Sequence, residues 1–143
     1  MGAVSAEQDK GAGIPAEREP TESVSEVSVV ALDSVESIEL PGGSWSRMLV
    51  TGDRVGGNES SLGYSVFKPG SATQSVSHET EEVAYVVSGG GHLDTEHGEV
   101  RFTAGDAIHI PPRTWHAVVN DSEADVVMVF GFPHPDYPPT ERR

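Results

Sequence analysis

The sequence predicts an all-β domain, a sandwich or barrel of about ten short strands. Apolar and small residues alternate along several short runs, which is the period of a half-buried strand. Turn signals recur at regular intervals: Pro41-Gly42-Gly43, Gly56-Gly57-Asn58, Pro69-Gly70, Gly89-Gly90-Gly91, His97-Gly98, Gly105-Asp106 and Pro111-Pro112. No stretch of the core carries the apolar spacing of three and four that an amphipathic helix needs. There is no internal repeat of useful length, so one barrel is expected rather than two.

Taken in order, the 143 residues divide into three parts. Residues 1–26 hold six acids, two bases, two prolines and no aromatic. Such a segment buries too little apolar surface to offset its ordering entropy and reads as a disordered acidic arm. Residues 27–132 read as strand after strand. Alternation marks 61–67, 83–87, 100–102, 107–110 and 117–119, and 126–130 is a continuous apolar run. Residues 133–143 form a Pro-rich tail, with four of the ten prolines inside 133–139. Proline has no N–H to give a ladder, so this part is expected to be extended and largely unpaired. Phe132 and Tyr137 favour its lying across the domain.

Composition excludes several functions. Nine basic residues against 23 acidic ones give a net charge of −14, the wrong sign for a nucleic-acid surface. Zero cysteines rule out disulfides, thiolate ligands and a Cys nucleophile. The run 126–130 is the longest clearly apolar one, far short of the roughly 20 residues a membrane helix needs. The start of the chain lacks the basic and apolar regions of a secretory signal, so a soluble cytoplasmic protein is expected.

Six histidines, at 78, 92, 97, 109, 116 and 134, carry most of the chemical potential. His78 and His116 lie near strand ends beside turns, where a barrel presents side chains to its mouth, and Glu82 follows His78 by four. In one straight strand, residues four apart lie about 13 Å from each other, too far to share a metal ion. The chain must therefore bend at the polar Glu79-Thr80-Glu81, with Glu82 opening the next strand.

These residues match a family pattern. Gly70, five residues, Val76-Ser77-His78, three residues, Glu82, six residues and Gly89 resemble the first motif of the cupin superfamily. Gly105, Pro111, His116 and Asn120 fall in register with the second. The resemblance implies a small single-domain cupin β-barrel, or double-stranded jelly roll, with His78, Glu82 and His116 as ligands of one divalent metal ion. Two positions depart from the pattern: Val76 stands where the family usually has its first histidine, and Arg113 where the second motif usually has glycine. Alternation puts Val76 on the face of His78, so the vacant ligand position is walled by an apolar branch. Two imidazoles and one carboxylate with open positions suit Fe(II), and also Zn, Mn or Ni. The competing reading is a metal-free polar cluster, in which Glu82 would be a costly interior charge with only imidazoles as partners.

Further candidates surround this set. Arg47 and Tyr64 occupy strands where cupins often place pocket residues, and an interior Arg would anchor a substrate carboxylate. Arg47 on a solvated face is an equal alternative. His109 can act as a base if it points inward, against an ordinary hydrogen-bonded strand histidine. Gln74 is a candidate pocket group in place of the missing histidine. Trp45 and Trp115 read as packing residues. His92 and His97 flank a hairpin and read as solvated, and His134 as part of a solvated tail.

Three functions follow. The first is an Fe(II) dioxygenase acting on a small organic molecule, with Arg47, Tyr64 and His109 as the catalytic helpers. Absence of cysteine argues against the thiol-dioxygenase branch with its Cys–Tyr crosslink. The second is a non-redox isomerase, epimerase, cyclase or lyase using Zn, Mn or Ni, and the third a non-catalytic binding module. Exposed jelly-roll edges invite pairing, with residues 27–32 a candidate to add to a neighbour's sheet, and the resemblance to small cupins implies a homodimer. No nucleic acid or membrane partner is expected.

Overall fold

A computed structural model describes residues 26–143, so all but the final residue of the expected arm lies outside the described residues. The strands are β1 (Ile38–Glu39), β2 (Trp45–Val50), β3 (Ser61–Phe67), β4 (Val76–His78), β5 (Glu82–Ser88) and β6 (Gly90–Thr95). They continue with β7 (Gly98–Thr103), β8 (Ala107–Ile110), β9 (His116–Val119), β10 (Val126–Phe132) and β11 (Thr140–Arg142). Two short 3₁₀ turns, Leu32–Ser34 and Pro41–Gly43, are the only helical elements among the described residues. No helix there is long and apolar enough to cross a membrane.

The strands pair antiparallel into two sheets, ordered β1-β2-β3-β10-β5-β8 and β11-β4-β9-β6-β7. This is the expected all-β jelly roll. Alternation decides which side chains enter the core. Along β5, Ala84 and Val86 are buried while Val83, Tyr85 and Val87 stay about half exposed. Phe130 on β10 faces Gly63 on β3 and Ala84 on β5. A Cβ at Gly63 would fall inside the Phe130 ring, so a small residue on either side lets one large ring lie flat on the wall.

The motif residues outside the ligand set have structural work. Gly89 has φ 83°, and a Cβ there would strike the Asp125 carbonyl. Arg113, in the place of a usual glycine, takes φ 56°, and its N–H donates to the His78 carbonyl at 2.7 Å. That left-handed conformation costs a non-glycine residue about 1–2 kcal/mol. Asn120 is fully buried. Its Nδ2 donates to the Phe67 and Ala124 carbonyls, and its Oδ1 accepts from the Ser122 N–H and hydroxyl.

Residues 27–32 form no strand within the described chain, and Val27 and Val29 are more than nine-tenths exposed. One expectation needs correction. The Pro-rich segment, expected to be largely unpaired, is tied down along its length. The Gly52 N–H donates to Asp136 Oδ1, the Glu79 N–H to the Pro139 carbonyl, and β11 extends the sheet beside β4. Prolines cannot donate to a ladder, but their carbonyls accept, and β11 begins directly after the last proline.

Replacing Asn120 with Ala would take this donor from the buried Phe67 carbonyl, while the Ala124 carbonyl keeps the Ser122 hydroxyl at 3.1 Å. We expect Asn120→Ala to lose about 1–3 kcal/mol of stability. Urea unfolding followed by circular dichroism checks this, and an unchanged midpoint would contradict it.

Candidate metal centre

The bend at Glu79–Glu81 carries the chain from one sheet to the other, because β4 and β5 belong to different sheets. His78 ends β4 and Glu82 opens β5, so two residues four apart in sequence face each other across the barrel interior. His116 opens β9, whose pairing with β4 sets Val76 opposite His116 and leaves His78 diagonally adjacent. Glu82 Oε1 lies 3.3 Å from His78 Nε2 and 3.4 Å from His116 Nε2. One ligand atom from each of the three residues falls within 4.8 Å of the other two.

The outer nitrogens fix the proton positions. His116 Nδ1 lies 2.8 Å from the Thr114 carbonyl, which only accepts, so Nδ1 carries the proton. His78 Nδ1 lies 2.7 Å from Thr140 Oγ1, whose own hydrogen goes to the Pro138 carbonyl at 2.8 Å. The His78 proton is thereby assigned to Nδ1 as well. Both Nε2 lone pairs then point at the cavity, and the buried Glu82 Oε1 has no hydrogen-bond donor. Two bare nitrogens beside an unpaired carboxylate oxygen require a positive partner, and a divalent cation fits that donor set.

Electrostatics agree. Burial pushes the Glu82 carboxyl up, but contacts with His116 and His78 outweigh it and hold the group below its ordinary value. Burial pushes the His116 imidazole down, yet contact with Glu82 and the Thr114 carbonyl raises it above its ordinary value. Both shifts come from the same close contact between Glu82 and the imidazoles.

A cavity of about 550 Å³ opens from the three residues. Its walls are mainly apolar, with Met48, Phe67, Leu93, Ile108, Ile110, Val118, Met128, Phe130 and Phe132 among them, and Val76 flanks His78. Gln74, Tyr137 and Arg142 supply polar groups. The Tyr137 ring meets His78 edge-on at 5.3 Å and Phe132 at 5.5 Å, and burial raises its phenol above the usual value.

Three expected helpers lie elsewhere. Arg47 points away from the cavity: its guanidinium donates to the Leu32 carbonyl at 3.0 Å and covers the Trp45 ring at 4.7 Å. Tyr64 stacks on Trp45 on the same outer surface, at 6.0 Å. His109 is 57% exposed and paired with Glu81 at 2.9 Å, while its neighbours Ile108 and Ile110 take the inner face. The cause is common to all three: period-two alternation puts Ser46, Met48, Ser65 and Phe67 inside, so Arg47 and Tyr64 must face out.

His92 also departs from expectation. It is buried on the outer face of β6, covered by Asp94, Glu99 and Asp121, while Arg101 pairs with Asp121 through two hydrogen bonds. His97 is exposed, as expected. His134 lies outside the cavity lining and accepts from the Asp136 N–H. Trp115 packs under the Arg143 guanidinium at 4.1 Å.

A family model described as a cupin domain matches residues 63–132, which include both histidines and Glu82. The chain is a cupin-domain protein. Solved structures of similar shape include the polyketide cyclase RemF from Streptomyces resistomycificus. That chain is 22% identical, with a TM-score of 0.68 over 82% of this chain and 85% of that one. KdgF from Halomonas sp. is 20% identical, with a TM-score of 0.62 over 78% and 97%. Oxalate decarboxylase from Lactobacillus farciminis is 18% identical with a TM-score of 0.70 over 78% of this cupin, which spans only 34% of that chain. At these identities the likeness establishes the fold. No curated protein matches the cupin by sequence.

Tyr137, Thr140 and Arg142 escaped the sequence reading, apart from the hint that Tyr137 is the one aromatic among the prolines. Alanine at His78, Glu82 or His116 should each lower bound Zn2+ at least tenfold, while alanine at His92, His97 or His109 should leave it unchanged. Equilibrium dialysis of the six variants decides this. Because a proton on His116 competes with the metal, and its affinity for that proton is raised, metal binding should weaken as pH falls. The loss should begin above the ordinary imidazole value of 6.5 and approach about tenfold per pH unit below the raised value. Titrations between pH 8 and 5 with a flat profile would contradict it.

Proposed function

We propose that this cupin is a metal-dependent enzyme that binds and polarises a carbonyl or phenolic oxygen of a largely apolar, ring-sized molecule, with ring closure or isomerisation as the outcome. The observation carrying this reading is the junction of the three ligands with an apolar-walled cavity of about 550 Å³. That volume lies in the range that buries a drug-sized molecule. A small dianion would find few polar partners on these walls, and burying charge against hydrocarbon is costly.

His78, Glu82 and His116 would hold the cation, which when bound supplies Lewis acidity towards a carbonyl or phenolate oxygen. The remaining work falls to this chain's own groups. Tyr137 offers a hydroxyl and Arg142 a guanidinium at the cavity, the two side-chain types first sought at Tyr64 and Arg47. They can hold a second substrate oxygen while the Phe130 and Phe132 rings pack on its body. Val76 lines the cavity beside His78 and offers no ligand atom, so it would leave that side of a bound cation to substrate. A substrate of linked carbonyls also fits the name of the polyketide cyclase among the similar structures.

A second reading, an Fe(II) dioxygenase, is favoured by the ligand set itself, two imidazoles and one carboxylate. Elemental analysis of protein purified without chelator separates the two, together with turnover of aromatic and polycarbonyl compounds in an oxygen electrode. Zinc, manganese or nickel with turnover and no oxygen uptake supports the proposal. Iron with oxygen uptake equal to turnover transfers it to the dioxygenase, and metal-free protein that cannot be reconstituted overturns both in favour of a binding module.

The homodimer belongs to the same proposal. Val83, Tyr85 and Val87 present an apolar outer face on β5, and Val27 and Val29 are a free β-prone segment. Light scattering should report twice the 15.1 kDa chain mass, and the single mass would remove it.

A further inference from the structure

One hydroxyl of the segment 133–143 meets the outer nitrogen of His78. Thr140 sits opposite His78 in the β11–β4 ladder, and its Oγ1 lies 2.7 Å from His78 Nδ1. The hydroxyl hydrogen is committed to the Pro138 carbonyl at 2.8 Å, so Oγ1 turns its lone pair to the imidazole. The His78 ring is held edge-on by Phe132 at 5.0 Å and Tyr137 at 5.3 Å, both within or beside the same segment. The Glu79 N–H to Pro139 carbonyl bond and the Arg143 N–H to Ser75 carbonyl bond fasten the segment on both sides of Thr140.

We infer that Thr140 is a positioning residue for the metal ligand His78: it keeps the ring proton on Nδ1 and so leaves the Nε2 lone pair free beside Glu82. Which imidazole nitrogen can bind a metal is set by the hydrogen bond the other one makes. His116 needs no such help, because its partner is the carbonyl of Thr114, which can never donate. The two ligands are thus held differently, one from within its own turn and one from a distant segment. Thr140 does not contact the cation site and acts only through His78. By linkage, whatever occupies the site steadies the segment, and whatever loosens the segment weakens the site.

This inference rests on the metal-site reading, and its test separates the two. Zn2+ affinity would be measured by calorimetry at pH 8 for wild type, Thr140→Val and Thr140→Ser, alongside ring-nitrogen NMR of His78 in metal-free protein. Valine keeps the β-branched shape and removes the hydroxyl; serine restores it. We expect about a 10–100-fold loss of affinity in Thr140→Val, recovery in Thr140→Ser, and a His78 tautomer shifted off Nδ1–H only in the valine variant. Equal affinity in all three proteins, or an unchanged His78 tautomer in Thr140→Val, overturns the inference. Wild type that takes up no Zn2+ removes the metal reading instead. The tautomer comparison then still decides whether Thr140 sets the His78 proton.

Discussion

A carboxylate surrounded by hydrocarbon needs a compensating charge, and the interior of this barrel is arranged around that need. Glu82 sits between two imidazoles whose outer nitrogens are already engaged, so its Oε1 receives no hydrogen bond from the protein. The fold could relieve the group by moving it to the surface, one residue along β5, but then Ala84 and Val86 would leave the core with it. Register therefore fixes the charge inside, and the demand for a cation is a property of the strand and not of one side chain.

Residues 133–143 show how a segment of poor ladder-forming capacity still becomes part of a sheet. Its prolines cannot donate, yet the carbonyls of Pro138 and Pro139 accept from Thr140 and Glu79. The prolines also lower the entropy lost on ordering, since their backbone is stiff before it docks. Tyr137 and Phe132 then cover one side of His78, giving the ligand an apolar flank that sharpens the electrostatic contrast at Nε2.

The fold was legible because alternation and turn residues are local signals: β3, β5, β7, β8, β9 and β10 stand where those signals put them, whereas β6 begins inside the Gly89-Gly90-Gly91 turn signal. The meeting of His78, Glu82 and His116 was legible because two motifs fell into register, and the bend between His78 and Glu82 followed from distance alone. What alternation cannot supply is which of two faces turns inward. Trp45 and Tyr64 are larger and more apolar than their neighbours Ser46 and Ser65, yet the inner positions belong to the serines, whose hydroxyls bond each other at 2.6 Å. Arg47 followed Trp45 outward for that reason. His92 is hidden on an outer surface by charged neighbours from two strands and a loop, a burial that no single strand encodes. Thr140 carries no local mark at all, since its role exists only through pairing with a strand 62 residues away.

The count of charges around the ligands has a consequence for what reaches them. A divalent cation set against one carboxylate and two neutral imidazoles keeps an uncompensated positive charge, and apolar walls screen it poorly. The surface as a whole carries −14 and repels anions over roughly a Debye length of about 8 Å. A molecule that arrives neutral and gives up a proton inside satisfies both fields, whereas one already ionised is opposed on the way in. With a divalent cation bound, such a barrel would select weak acids by where they ionise as much as by their shape.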